Sequence, residues 1–475
     1  MFSTEPIIIK GAVRTAMAGK NYQMDMCRGP LFRQMVLFSL PLMASSILQL
    51  TFNAVDMIVV GQFGPHTSLA AVGGCGILLG FMVNAFSAIA VGSNVLISRY
   101  FGAKDTKDVH ACVHTSIAFS LYAGITLAVL GQFIAVPLLR LTGIPEEVIP
   151  EALTYLRIIY FCIPALLLYN FGCAILRSIG DTRRPLYFLL IAGTVNIILN
   201  LFFVLCLKMY ASGVALATLI SHCLAAALII RVLTGTKDCY GLNLKKLRID
   251  WKQCKEILKI GIPAAVQSSA FSISNMTIQS SINSFGAYAM AGSTATGTFE
   301  GIVYTGSGTF HQASLSFVAQ NYGGKKYDRI KKIFFMSVIL GGVSTFVCGN
   351  TMLLFGKELL HLFTQDAKVI DWGYQRMLLM FSTYFLCGIM DAASGCLRGL
   401  GYSTTSSVIC VVGVCGIRLF WVLAIFPLHR TFTWLLMCYP ITWLMAALLS
   451  GLLLWWIWKN KITPMRKHYS SVHPA

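Results

Sequence analysis

The chain runs to 475 residues, of which 56% are hydrophobic and only 12% charged. An ordinary soluble domain carries about 25% charged and 45–50% apolar residues, so a soluble enzyme, a disordered chain and a nucleic-acid binder are excluded as leading classes. The formal net charge of +19, from 37 Lys and Arg against 18 Asp and Glu, is explained below by where the charges lie along the chain.

The first 30 residues carry Lys10, Arg14, Lys20 and Arg28 without a long apolar core, and read as a tail rather than a cleavable signal peptide. Apolar stretches of about 20 residues then predict membrane spans. Twelve follow in order: 36–60, 67–98, 110–139, 151–176, 186–207, 211–233, 256–284, 288–318, 333–362, 372–397, 404–426 and 433–458. Pro41, Pro164, Pro263 and Pro440 fall inside them, as membrane helices tolerate. The runs are far longer than barrel strands and do not alternate. Fifteen cysteines, an odd number with no C-x-x-C pair, read as buried reduced thiols rather than a zinc or redox site.

Charge sorts the loops. With the N-terminus inside, 29 Lys and Arg fall in inner segments and 5 in outer loops, which places both termini in the cytoplasm. The positive charge is thus accounted for by topology and by contact with anionic lipids; nucleic acid is not needed.

The chain also repeats. Leu40-Pro41 matches Ile262-Pro263, Phe63-Gly64 matches Phe285-Gly286, Tyr100–Lys104 matches Asn321–Lys325, and Leu176-Arg177-x-x-Gly180 matches Leu397-Arg398-x-x-Gly401, at offsets of 222, 222, 221 and 221. Six spans per half is an even number, so both halves run the same way through the membrane. The predicted fold is an all-α polytopic membrane protein: twelve transmembrane helices in two six-helix lobes, related by a pseudo-two-fold along the membrane normal. The expected division is an N-terminal cytoplasmic tail (1–30), an N-lobe (31–233), a cytoplasmic linker (234–254), a C-lobe (255–460) and a C-terminal tail (461–475).

Ionisable residues inside spans are costly and usually face a cavity. Asp56 shares a helical face of span 1 with Asn53 and Gln49. Asn196 and Asn200 are i,i+4 neighbours on span 5, as are Thr218 and His222 on span 6. Converging oxygens suit a hard cation, and a desolvated carboxylate suits a proton. A structural role for Asp56, capping or pairing within the lobe, is the alternative. In the second half, Glu300, Tyr304, Ser307 and His311 fall on one face of span 8, while Asp391, Ser394 and Arg398 share a face of span 10. Their first-half counterparts, Leu78 and Asn170, are not acidic. Arg418 stands alone in span 11. Glu300 and Asp391 read either as an acidic cavity face or as partners that Arg418 neutralises.

The motif order resembles the multidrug and toxic compound extrusion (MATE) family. The residues that carry it are Leu40-Pro41, Asn53-Ala-Val-Asp56-Met, Gly61, Gly92, Arg99–Lys104, Leu176–Pro185, Val195–Asn200 and Gly213–Thr218, echoed by Gln320–Gly323 and Leu397–Gly401. The likeness covers residues 30–460. It implies a two-lobed exporter with a V-shaped cavity, driven by a Na⁺ or H⁺ gradient, in a bacterial plasma membrane. It also implies a first-lobe cation site of Asp56 with polar residues at Asn196, Asn200 and Thr218. The chain departs at Asn200, where family members often carry an acid, and this favours H⁺ over Na⁺. The expected substrate is a small aromatic, lipophilic cation, drawn by ion pairing and cation–π contact, with Glu300, Tyr304, Asp391 and Arg418 at the cavity. No cofactor, metal or catalytic residue is expected, and the chain reads as a monomer. The competing function is a flippase for lipid-linked oligosaccharides, which would need several cavity cations. A membrane enzyme would need a nucleophile–base set, and no such motif appears.

Overall fold

The computed structural model describes residues 22–141 and 144–472. The expected charges at Lys10, Arg14 and Lys20 lie outside the described residues. Those described form twelve helical rods: α1 (Leu31–Phe63), α2 (His66–Gly102), α3 (Thr106–Leu141), α4 (Ile149–Ser178), α5 (Arg183–Cys206), α6 (Tyr210–Gly235), α7 (Trp251–Asn283), α8 (Ala287–Gly323), α9 (Tyr327–Leu354), α10, α11 (Ser403–Leu428) and α12 (Phe432–His468). The rod α10 has two limbs, Ala367–Thr383 and Phe385–Gly399, bent by 46° at Tyr384. Each rod overlies one predicted span. Among the described residues nine rods are long and apolar enough to cross a bilayer singly, and the bent pair makes a tenth. The α8 rod falls short of that mark because Gly, Ser and Thr crowd its sequence. Helical structure satisfies every backbone group internally, which is the condition for spanning hydrocarbon.

The repeat is visible in the backbone. Gly180 and Gly401 both take left-handed φ, +88° and +95°, just past the ends of α4 and the second α10 limb. At each, the glycine N–H and the next N–H reach back to the helix: Gly180 to the Arg177 carbonyl and Asp181 to Leu176, Gly401 to Arg398 and Tyr402 to Leu397. This is the left-handed C-cap that glycine adopts without a Cβ penalty. Lys104 and Lys325 likewise take φ of +60° and +56° at matching turns, after α2 and after α8. The Asp181 side chain caps the next helix by accepting from the Arg183 and Arg184 N–H groups, both at 3.1 Å. Burial pushes its carboxyl up to about 6 despite the Arg184 guanidinium 3.3 Å away.

Two compact units divide the chain. The first comprises residues 22–25, Leu40–Phe101 and Asp105–Leu258; the second comprises Met26–Ser39, Gly102–Lys104 and residues 259–472. Within the first, α4 packs on α3 and α6, and α5 on α6; within the second, the second α10 limb packs on α9 and α12, the same relations one repeat later. Apolar cores around Tyr160 and Leu139, and around Phe188 and Ile229, hold the first unit; one around Phe381, Met377 and Trp443 holds the second. Where α9 meets α10, a Cβ on Gly388 would lie 2.4 Å from the Gly341 carbonyl oxygen, so only glycine permits this approach.

Two of the expected boundaries shift. Residues 31–39 group with the second unit, not the N-lobe, because the segment before them is tied to α8 and α9. Arg329 donates to the carbonyls of Met26, Arg28 and Gly29 and to Gln34, at 2.8–3.2 Å, and Asn321 donates to the Met26 carbonyl at 3.0 Å. Phe38 meets Phe317 edge-on at 5.5 Å. The linker shrinks to 236–250 and is held on the first unit. There Asn243 N–H donates to His114 Nε2 at 3.0 Å and Asp250 N–H to Thr115 Oγ1 at 3.1 Å. The segment from Thr463 is helical through Val472.

Candidate functional site

In the first unit a polar stripe on α1 leads to the carboxylate. Gln49 and Asn53 are exposed and Asp56 is half-buried. Asn200 Nδ2, on α5, donates to Asp56 Oδ1 and also to Asn196 Oδ1 at 3.2 Å. Asn196 and Asn200 are buried at 6% and 0% exposure, so this amide pair is fixed in place. Asn200 Oδ1 is buried with no hydrogen-bond partner among the described residues. Buried polar atoms are normally satisfied, so an unpartnered amide oxygen beside a carboxylate marks a polar position that the protein's own groups do not complete. His222 on α6 and Tyr155 on α4 lie within coulombic reach of Asp56. His222 Nδ1 donates to the Thr218 carbonyl at 2.9 Å.

The structure thus gathers Asp56, Asn196 and Asn200. It makes no side-chain hydrogen bond from Gln49, Asn53 or Thr218 to Asp56; Thr218 contributes its carbonyl to His222 instead. Asn200 joins through its amide nitrogen, and its oxygen makes no hydrogen bond among the described residues.

The second unit holds the larger set of deep charges, and here the expected pairing is corrected. Arg418 bonds to neither Glu300 nor Asp391. Glu300 pairs with Arg376, from the first α10 limb, at 2.8 Å. Arg376 also donates to Ser293. Asp391 accepts from Ser307 at 2.7 Å, its carbonyl accepts from His311 Nδ1 at 2.9 Å, and its charge interacts with that of Arg398. Arg398 itself donates to Gln267 at 2.7 Å. Arg418 donates to Asn275 at 3.1 Å and Thr442 at 3.2 Å, and sits 4.3 Å over the Tyr439 ring. The second lobe therefore has Arg376 and Arg418 deep among its helices and Arg398 at the end of α10, against two acids, of which Glu300 is ion-paired. Tyr304, half-exposed on α8, makes no side-chain hydrogen bond to either acid. Arg376 was the missed residue. It is a cation inside an apolar span, the same signal that singled out Arg418.

Comparison with known proteins follows the same two-part layout. The family model MatE matches residues 41–202 and again 263–422, one match per repeat. A probable multidrug resistance protein of Bacillus subtilis, YoeA, is 27% identical over 401 residues, which is 82% of this chain and 85% of that one. The multidrug export protein MepA of Staphylococcus aureus is 23% identical over 392 residues, 81% of this chain and 85% of its own. Among solved structures, a crystal structure of a MATE mutant superposes with a TM-score of 0.84 at 21% identity, covering 93% of this chain and 98% of the other. A transporter of the MOP superfamily from Pyrococcus furiosus, described as having a binding pocket of reverse polarity, gives 0.83 at 22% identity, covering 90% and 96%.

Proposed function

The chain belongs to the MATE family of membrane transporters, and from that premise we propose that it is a secondary antiporter. It exports small amphipathic molecules, lipophilic aromatic cations among them, in exchange for H⁺ or Na⁺ by alternating access. The observation that carries the coupling reading is the Asp56 carboxylate beside the unpartnered Asn200 oxygen. One acid flanked by two amides is a sparse oxygen set for a metal cation and a sufficient one for a proton, so H⁺ is the favoured ion. The drug-export names of YoeA and MepA support the substrate reading. The flippase alternative is weakened, because Arg376 is neutralised by Glu300 and Arg398 is bonded to Gln267, which leaves Arg418 alone where a diphosphate would call for several cations. The test uses purified protein in liposomes with H⁺ and Na⁺ gradients imposed separately. Efflux of a fluorescent cation should follow the H⁺ gradient and persist when Na⁺ is equal on both sides. Efflux independent of both gradients would refute antiport.

The proposed location is a bacterial plasma membrane with both termini cytoplasmic, the protein acting as a monomer among anionic lipids. The inner-side excess of Lys and Arg supports this orientation. Cys239 in the linker and exposed Cys206 at the far end of α5 make a reporter pair. Cys254 is 3% exposed and is no probe. Burial pushes the Cys239 thiol up, so labelling is run above neutral pH, where thiolate is present. An impermeant maleimide on intact cells should modify Cys206 and spare Cys239 until permeabilisation, as read by peptide mass spectrometry. The reverse order would invert the topology.

A further inference from the structure

Arg418 is a deep cation of the second unit that makes no ion pair or hydrogen bond to a carboxylate among the described residues. Arg376 is ion-paired to Glu300, and Arg398 donates to Gln267. A guanidinium stays charged in any protein environment, and a charge at this depth is retained at a cost unless something compensates it. At Arg418 the surroundings are neutral: Asn275 Oδ1 on Nη1, Thr442 Oγ1 on Nε and the face of Tyr439, with Phe271 at 6.0 Å. No hydrogen bond is made by Nη2 among the described residues. The side chain is 2% exposed.

What lies in front of it is readable from α7. Ser268, Ser272, Asn275, Gln279 and Asn283 recur at helical spacing, and each is half-buried or exposed. Polar groups inside a membrane helix are expected to face the bundle interior or an aqueous cavity rather than hydrocarbon. Asn275 is on that stripe, and Phe271 lies one turn before it on the same side. The guanidinium therefore stands one hydrogen bond behind this polar stripe, with the Tyr439 ring at 4.3 Å and the Phe271 ring at 6.0 Å.

We propose that Arg418, Asn275, Tyr439 and Phe271 form an anion subsite in the substrate path, taking the single carboxylate of an aromatic, amphipathic substrate. This rests on the export reading and deepens it by assigning the residues that would read a substrate's carboxylate. Arginine pairs with carboxylate through parallel N–H bonds, and the rings pack against an aromatic body while holding the guanidinium by cation–π contact. A single unpaired arginine matches a monoanion; a diphosphate would call for several cations.

The test measures equilibrium binding to the purified full chain in detergent, by fluorescence anisotropy, of a rhodamine bearing a free carboxylate and of its methyl ester. The wild type should bind the acid on the order of 10-fold tighter than the ester. Arg418→Gln should remove that preference and leave ester binding within a factor of about 2. Asn275→Asp keeps the arginine and sets a carboxylate against it at an exposed position, so it should have the same effect without disturbing the fold. Ester binding is the internal check that each variant is folded. No acid preference in the wild type, or parallel loss of acid and ester in both variants, would overturn the proposal. Competition by phosphatidylglycerol but not by benzoate would give the guanidinium to a lipid phosphate and also overturn it. Binding needs no gradient: acid selectivity without export would keep the subsite and refute the antiporter, and export without acid selectivity would do the reverse.

Discussion

Asp56→Asn is expected to reduce gradient-driven export to the level of empty liposomes while the protein still inserts, purifies and binds substrate. An antiporter couples because one group carries the ion in one state and releases it in the other. Remove the titratable group and the gradient has nothing to act on. The available drive is about 2.3 kcal/mol for one charge moved through 100 mV, and about 1.4 kcal/mol for each pH unit. Asn is nearly isosteric with Asp, and its amide can turn to offer an oxygen to Asn200 Nδ2, so the hydrogen bond that fixes Asn200 survives. A purely structural Asp56 would then leave export close to normal, and that result would remove it from the mechanism. A second variant sharpens the reading. Asn200→Asp supplies the acid that the family resemblance leads one to expect there, and it should shift the coupling from H⁺ toward Na⁺. Efflux measured under separate gradients reports both effects.

Which parts of this site were legible in advance follows from what helical arithmetic can see. Spacing on one helix placed Gln49, Asn53 and Asp56 on a common face and paired Asn196 with Asn200, which are joined by a hydrogen bond of 3.2 Å. The repeat offsets anticipated the matched left-handed turns at Lys104 and Lys325 and at Gly180 and Gly401. Arithmetic along one helix does not say which helix comes opposite. The Glu300–Arg376 pair joins α8 to the first α10 limb across 76 residues of sequence, a choice made by packing that includes the close contact of Gly292 with Gly373. Hydropathy was likewise blind to the tie between Met26–Gln34 and Arg329, since the atoms that accept are mostly backbone carbonyls. The α8 helix was read as a span from its apolar stretch at 288–318, although its Gly, Ser and Thr leave it less apolar than most of the other rods.

Glu300→Gln is expected to cost stability before it costs selectivity. Arg376 is 6% exposed, its Nε has no hydrogen-bond partner among the described residues, and its one charged partner is Glu300 at 2.8 Å. Removing one member of a buried ion pair leaves the other uncompensated, which typically costs about 3–5 kcal/mol. Thermal unfolding in detergent should therefore fall well below wild type for Glu300→Gln, and for Arg376→Gln by a similar amount. The double replacement should recover much of the loss, because two neutral amides can bond to one another and neither bears an unpaired charge. A double-mutant cycle gives the coupling directly, and contacting partners of this kind show interaction energies of about 0.5–3 kcal/mol. Substrate binding separates this from the reading in which Glu300 holds a cationic drug. A structural pair predicts that a cation and a neutral analogue weaken together in each single variant and recover together in the double. If Glu300→Gln instead unfolds at the wild-type temperature and selectively loses the cation, then the carboxylate is free to leave Arg376 during transport, and the ion pair is a resting position from which the substrate displaces the arginine.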